Sequence, residues 1–111
     1  MDHEIKTIDR EELKSKLDRG DDFSLYMALH QWAFDEMHIP GSELLDPRTI
    51  DVDSMDKNAE IIVYCSDKDC IGSQVAYRKL TEAGFTNVRR YECGLSEWLD
   101  SGLPLEGDRF N

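Results

Sequence analysis

Hydrophobic residues occur in short runs along the chain, separated by longer stretches in which apolar positions are spaced. Short runs rich in β-branched residues predict buried strands, whereas apolar positions spaced over a longer segment predict helices. The run at 61–64 stands at the centre of this pattern, because it ends directly on a cysteine and leads into a polar loop. Five segments fit the strand pattern, at residues 5–8, 23–29, 42–45, 61–64 and 88–91.

Helical patterns occupy the segments between the predicted strands. Asp9 is a predicted N-cap because Glu12 follows it by three residues, as in a capping box, and Gly20 is suited to end this helix. Alternating strands and helices indicate βαβ units, and therefore an α/β fold with a mostly parallel sheet of about five strands and helices on both faces. Further helical patterns cover residues 31–37, 74–83 and 94–101, with a partly helical acidic connection over 47–55.

The length of 111 residues predicts one domain, residues 1–111, in which 108–111 form a frayed tail. Three cysteines, an odd number, argue against a disulfide framework, and no compact Cys/His cluster indicates a metal site. The chain has neither a signal-peptide pattern nor a long apolar run. These features predict a soluble cytoplasmic protein.

The charge of the chain limits its partners. Thirteen basic and twenty-four acidic residues give a formal net charge of −11. Binding to phosphate groups requires clustered Lys and Arg, so neither nucleic acid nor an anionic membrane is an expected partner of this acidic protein. The oligomeric state is left open.

Cys65 is the candidate for chemistry, because it lies between the carboxyl end of a predicted strand and a predicted helix. In open α/β sheets, sites form in the crevice beyond the strand ends. Unpaired N–H groups and the dipole at a helix N-terminus stabilise anions, so a thiol there can have its pKa lowered to roughly 3.5–7.5. The same amides can hold an anion or a terminal sulfur atom.

A series of motifs in this order resembles the rhodanese-like sulfurtransferases. The segment 61–107 resembles the carboxyl half of a single-domain rhodanese, and Cys65, Cys70 and Ser73 resemble a branch with an extended Cys-x4-Cys active-site loop. The upstream motif is His38-Ile39-Pro40-Gly41-Ser42. The downstream motifs are Val63-Tyr64-Cys65, Ser73, Ala76, Leu80, Ala83-Gly84-Phe85, Asn87-Val88, Tyr91-Glu92, Gly94, Trp98 and Gly102-Leu103-Pro104-Leu105-Glu106-Gly107.

The resemblance implies a rhodanese-like fold and a sulfurtransferase that moves sulfane sulfur from a donor to a thiol or cyanide-like acceptor. Cys65 would be the catalytic nucleophile and would carry a persulfide held by loop amides. The partners implied are a small-molecule or protein sulfur donor and acceptor, without a metal or organic cofactor. The substrate-binding loop implied comprises Ser66, Asp67, Lys68, Asp69, Cys70, Ile71, Gly72 and Ser73.

The sequence departs from the family pattern at two places. An Asp-x-Arg pair usually precedes the His-Ile-Pro-Gly motif, but apolar Met27 and Leu29 stand at the matching positions. The loop carries Asp67 and Asp69, offset only by Lys68, where the family usually has an arginine that attracts anionic donors. Carboxylates raise the pKa of a nearby thiol and repel thiosulfate, so weak turnover of thiosulfate is expected.

Phosphatase chemistry is not expected at this loop. The related phosphatases use a cysteine and a following arginine to hold phosphate, but position 71 is isoleucine and no arginine lies between Cys65 and Arg78. A phosphoryl transition state would therefore lack a guanidinium from the loop.

The role of Cys70 leaves alternatives open. It is a candidate resolving thiol that would form a disulfide with Cys65, but inward packing of Cys70 that fixes the enlarged loop is slightly favoured. The alternative to a sulfurtransferase is a catalytically weak rhodanese module that acts in partner binding or as a Cys65/Cys70 redox sensor.

Structural roles are expected for several other residues. Ser66 and Ser73 are candidates to donate hydrogen bonds to a bound sulfur, but Ser73 is predicted to cap the helix after the loop. Cys93, which replaces a glycine usual in the family, is predicted to be structural. His38 is expected to be a structural hydrogen-bonding residue. Four aromatic residues are predicted to pack in the core: Trp32, Phe34, Phe85 and Trp98.

Overall fold

The computed structural model describes residues 5–110 and contains one sheet of four parallel strands. The strand order is β2-β1-β3-β4, and β3 pairs with β1 on one side and β4 on the other. Parallel pairing requires crossover connections, so the carboxyl ends of the strands meet at one edge of the sheet. The strands are β1 (Ser24–Met27), β2 (Glu43–Leu44), β3 (Ile61–Tyr64) and β4 (Val88–Tyr91).

Helices cover both faces of the sheet. Successive residues of a strand point to opposite faces, so Ile62 and Tyr64 join one hydrophobic cluster while Ile61 and Val63 join the other. All four side chains are buried, as expected for a central strand of a parallel sheet. The α-helices are α1 (Arg10–Arg19), α2 (Gln31–Glu36), α3 (Gly72–Glu82) and α4 (Gly94–Asp100), with 3-10 helices at Val52–Ser54 and Asp108–Phe110.

The predicted α/β class with a mostly parallel sheet is confirmed, but the prediction of about five strands is wrong. Residues 5–8 form no strand; Thr7 makes a single parallel bridge to Arg90. The backbone N–H of Ile8 donates to the Arg90 carbonyl (3.1 Å), and Arg90 N–H donates to the Lys6 carbonyl (2.8 Å). Asp9 then caps α1 by accepting from Glu12 N–H (2.8 Å), which ends the extended segment.

Other boundaries differ from the predicted ones by a few residues. The first two strands are shorter than predicted, and α2 stops at Glu36 because the backbone of Met37 is extended. The helix after the loop begins two residues earlier than expected, at Gly72. Residues Asp108–Phe110, predicted as a frayed tail, form a 3-10 helix.

Tyr64 fastens the turn at residues 38–42 to the central strand. Its hydroxyl accepts a hydrogen bond from Ile39 N–H (3.0 Å) and shares one with the Ser42 hydroxyl (2.8 Å). Ser42 Oγ also donates to the Ile39 carbonyl (2.6 Å). These groups are buried, so their hydrogen bonds to one another take the place of hydrogen bonds to water. The turn is thereby fixed beside the residue that precedes Cys65.

Replacing Tyr64 by phenylalanine should lower the free energy of unfolding by about 1–3 kcal/mol, because the Ile39 amide loses its buried acceptor. Urea denaturation measures the change. Tyr26→Phe on β1 is the matched control, since no hydrogen bond of the Tyr26 hydroxyl lies within the described residues. An equal loss of stability in the two variants would contradict the role of the Tyr64 hydroxyl in anchoring the turn.

The contribution of Tyr64 should depend on pH. Burial raises the pKa of Tyr64 to about 12 in the folded protein, compared with about 10 for an unperturbed tyrosine. The folded state favours the neutral phenol, so this contribution is complete below about pH 10 and is lost as the pH rises towards about 12. The stability difference between wild type and Tyr64→Phe should therefore narrow over that range in urea titrations. A constant difference would contradict the assignment.

Candidate active site

Cys65 follows β3 at the carboxyl edge of the sheet, where the backbone is fixed by α4. Leu95 N–H donates to the Cys65 carbonyl (3.0 Å), and Ser96 N–H donates to the Ser66 carbonyl (2.8 Å). Gly94 makes this approach possible, because it adopts a φ of 60° and a Cβ there would collide with the Cys65 carbonyl oxygen. The first turn of α4 therefore sets where the cysteine lies.

The structure joins Cys65 and Cys70 as a disulfide. Their Cα atoms lie 6.3 Å apart, within the range that disulfides span. Cys65 is 1% exposed, while Cys70 is half-buried. The loop thus folds back so that its second cysteine covers the first, and Cys65 has no free thiol in this state.

Ser73 lies directly beside the Cys65 sulfur instead of capping α3. Its Oγ is 3.4 Å from Cys65 Sγ, and the residue is 1% exposed. The N-cap position of α3 is held by Ile71, which makes no side-chain capping hydrogen bond. The prediction that Ser73 caps the helix is therefore wrong: the serine is the second helical residue, and its hydroxyl points into the site.

Arg90 of β4 reaches beneath the loop and was missed by the sequence analysis. Its Nε donates to Ser73 Oγ (2.8 Å), and its Nη2 donates to the carbonyls of Lys68 (3.0 Å) and Cys70 (3.4 Å). Nη1 lies 3.6 Å from Glu92 Oε2. Arg90 is 5% exposed, so a positive charge is buried beside the candidate nucleophile. An arginine in a predicted buried strand was the available signal, since a buried charge needs a partner.

The acidic residues of the loop face solvent. Asp67, Lys68 and Asp69 are exposed, and Asp67 organises the turn itself: its Oδ1 accepts from Asp69 N–H (3.0 Å), and its carbonyl accepts from Cys70 N–H (3.2 Å). These two amides are therefore satisfied within the loop. The expected cradle of loop amides is not formed by them in this disulfide-linked state.

The remaining predicted loop residues occupy different environments. Ser66 is exposed, and Ile71 projects into solvent with 70% of its surface exposed. Gly72 packs closely against the Ala28 carbonyl oxygen. Only glycine allows this approach, because a Cβ at position 72 would collide with that oxygen. Ile71 and Gly72 line a depression of about 260 Å³ together with Cys70, on one side of the loop.

Cys93 borders a second depression, of about 480 Å³, on the other side of the loop. Asp67, Lys68 and Asp69 also line it. Cys93 is a free, half-buried cysteine. Burial raises the pKa of its thiol, and Glu97 and Glu92 raise it further. Cys93 is therefore a poorer source of thiolate than an unperturbed cysteine at neutral pH.

The aromatic residues and His38 were predicted to be structural, and one of these predictions is wrong. Trp32 is 71% exposed, because the short helix α2 turns it away from the core. Phe34 is half-buried and stacks on His38 with ring centroids 4.0 Å apart. The His38 ring also lies 2.7 Å from the Phe34 carbonyl through Nδ1. Phe85 and Trp98 are buried as predicted.

The residues at the positions of the family's Asp-x-Arg pair contribute packing. Met27 is 1% exposed in the hydrophobic cluster that also contains Tyr64, and Leu29 packs against that cluster. No group of three or more His, Cys, Asp or Glu within residues 5–110 is arranged to hold a metal ion. Among the helices described, none has the length and apolar character to cross a membrane.

A family model for the rhodanese-like domain matches residues 9–101. The chain therefore belongs to the rhodanese-like domain family, as the motifs around Cys65 indicated. No curated protein matches the chain.

Several solved structures share the fold of this chain. The BH2092 protein of Bacillus halodurans superposes with a TM-score of 0.86 at 24% identity, covering 94% of this chain and 78% of that one. The rhodanese-like domain of the Alr3790 protein of Anabaena sp. has a TM-score of 0.82 at 27% identity, with 97% and 83% covered. A thiosulfate sulfurtransferase of Pseudomonas aeruginosa has a TM-score of 0.82 at 21% identity, with 93% of this chain and 20% of that chain covered.

Gly94→Ala should destabilise the protein more than Gly102→Ala, by at least about 1 kcal/mol. Both glycines have positive φ, but a Cβ at Gly94 meets the Cys65 and Ser66 backbone, whereas a Cβ at Gly102 meets nothing within 4 Å. Urea denaturation of the two variants gives the loss in free energy of unfolding for each. The difference between the two losses measures the steric collision at Gly94, because the cost of placing alanine at a positive φ is common to both. Equal destabilisation would show that α4 does not fix the Cys65 backbone closely.

Proposed function

We propose that this protein is a sulfurtransferase in which Cys65 carries sulfane sulfur as a persulfide. The observation that carries the proposal is the placement of the Cys65 sulfur, 3.4 Å from Ser73 Oγ, which in turn is hydrogen-bonded to the buried guanidinium of Arg90. A buried cation and a helix N-terminus both favour a thiolate over a thiol. Membership of the rhodanese-like family supports the same chemistry.

The reaction has two sulfur-transfer steps. The Cys65 thiolate attacks the outer sulfur of a donor, the sulfur–sulfur bond of the donor breaks, and the donor leaves as an anion with the electron pair. An acceptor thiolate or cyanide then attacks the terminal sulfur of the Cys65 persulfide. The bond between the two sulfurs breaks, and Cys65 is released as a thiolate. No electrons are gained or lost overall, and no cofactor is required.

Cys70 competes with an external acceptor for the same sulfur. Its thiolate attacks the inner sulfur of the Cys65 persulfide, forms the Cys65–Cys70 disulfide and expels hydrosulfide. The disulfide of the structure is the bond that this reaction would form. An external dithiol or thiol must reduce it before Cys65 can accept sulfur again.

The charges at the site favour a persulfide donor over thiosulfate. Asp67 and Asp69 are exposed at the loop, where they oppose the approach of a dianion, and Lys68 is the only cation in the loop. Persulfides of small thiols or of protein cysteines carry less negative charge. We therefore assign the donor to this class, and the acceptor to thiols or cyanide-like nucleophiles.

Intact-mass spectrometry of reduced protein exposed to polysulfide tests sulfur loading. Wild type and Cys93→Ser should gain one sulfur, about 32 Da, which cyanide removes, whereas Cys65→Ser should gain none. Cys93→Ser is the matched control, because it deletes the other cysteine beside the loop. Loading of Cys65→Ser to the wild-type level would contradict the proposal.

The Cys70→Ser variant separates transfer from disulfide formation. Its persulfide should persist longer than that of wild type, because the internal nucleophile is absent. Wild type should in addition lose about 2 Da as the disulfide forms, and the Cys70 variant should not. If no variant loads sulfur while wild type still forms the disulfide, the protein is a redox sensor and the sulfurtransferase proposal fails.

A further inference from the structure

Arg90 is a buried charge that the sulfur-transfer steps do not use directly. It does not line either depression beside the loop, and its 5% exposure keeps it from a substrate. Within residues 5–110, the hydrogen bonds of its side chain all go to the site: Ser73 Oγ, the Lys68 carbonyl and the Cys70 carbonyl. Such a group is either a structural support of the loop or a determinant of the chemistry at Cys65.

We propose that Arg90 is a positioning residue for Cys65. Its guanidinium holds the loop through two carbonyls, orients the Ser73 hydroxyl towards the sulfur and supplies a buried positive charge close to it. Because Ser73 Oγ accepts from Arg90 Nε, its own proton is free to point at Cys65 Sγ. The inference rests on the proposed function only in that the thiolate is the reacting species.

The distances favour an electrostatic role. The contacts of Ser73 Oγ with Arg90 Nε and with Cys65 Sγ together place the guanidinium within about 6 Å of the sulfur, where an opposite charge stabilises the ionised form. The intervening atoms are buried, so water and salt screen this interaction weakly. Arg90 thereby supplies, from β4, a buried charge near the site, whereas apolar Met27 and Leu29 stand at the positions of the family's Asp-x-Arg pair.

Other charges around the site are expected to affect the ionisation of the Cys65 thiol less than Arg90 does. The loop carboxylates are exposed and therefore screened, and Glu92 is half-exposed while it pairs with Arg90 Nη1 at 3.6 Å. Across the depression beside the loop, Arg10 and Glu97 form a second pair at 3.8 Å. The ionisable groups that border the Cys65 region are Arg90 and Glu92 from the last strand and its end, Asp67, Lys68 and Asp69 from the loop, Arg10, Cys93, Glu97 and Asp100 around this depression, and His30, Asp46 and Arg48 around the depression on the other side of the loop.

The pH profile of Cys65 alkylation by iodoacetamide tests the proposal without any sulfur donor. The measurement uses reduced protein in a Cys70→Ser/Cys93→Ser background, in which Cys65 is the single thiol. Arg90→Met should move the midpoint of the profile to higher pH and lower the rate below the midpoint about tenfold. Arg90→Lys should recover part of the loss, because it keeps the charge without the forked geometry.

Arg89→Met is the matched control, because it removes the same charge from the same strand. Arg89 pairs with Glu12 (2.9 Å) and Glu60 (3.6 Å), away from the loop, so the midpoint should stay at its original pH. A merely structural role of Arg90 would change the rate at high pH, where Cys65 is fully ionised and only access varies, and would leave the midpoint in place. That outcome would overturn the proposal.

Glu92→Gln provides a test of opposite sign that does not depend on the folding of an Arg90 variant. The carboxylate is half-exposed, and its removal leaves the Arg90 charge less neutralised. The midpoint should move to lower pH, and the rate below it should rise about twofold. An unchanged or raised midpoint in Glu92→Gln overturns the proposal. A normal alkylation response combined with no sulfur loading would instead overturn the proposed function alone.

Discussion

The buried guanidinium of Arg90 is the interaction on which the arrangement of the site depends. A charged group removed from water is tolerated only when its donors are paired, and here the partners come from three separate segments. They are Ser73 of α3, the loop carbonyls and Glu92 beyond β4. Satisfying one arginine therefore fixes the helix, the loop and the last strand relative to Cys65.

Local charge at this site is opposite in sign to the charge of the whole protein. The net charge of −11 and the loop carboxylates repel anions at long range, but exposed charges are screened over roughly 10 Å in salt. Arg90 acts on the sulfur at shorter distance and without solvent. The site can therefore stabilise a thiolate while the surface around it disfavours a dianionic donor.

The sequence predicted correctly those features that depend on neighbouring residues in the chain. Asp9 caps α1 and Gly20 ends it in the left-handed conformation, as their spacing indicated, and β3 and β4 have the predicted bounds. The buried role of Arg90 was not predicted, because which of the two adjacent arginines of β4 lies beneath the loop depends on tertiary packing. Ser73 was misassigned for the same reason: its partner is 17 residues away.

The proposed sulfur transfer requires the loop that carries Cys65 and Cys70 to move. Cys65 is 1% exposed in the disulfide-linked state, and the Cys70 carbonyl lies 3.5 Å from its sulfur. An external donor or acceptor cannot reach the Cys65 sulfur while Cys70 covers it. In this disulfide-linked state, Arg90 binds the Lys68 and Cys70 carbonyls. In the proposed mechanism, the redox state of Cys70 controls access to the sulfur, whereas Arg90 sets the environment of the sulfur. The two roles are separable because they use different atoms of the same loop, the Cys70 sulfur and the loop carbonyls.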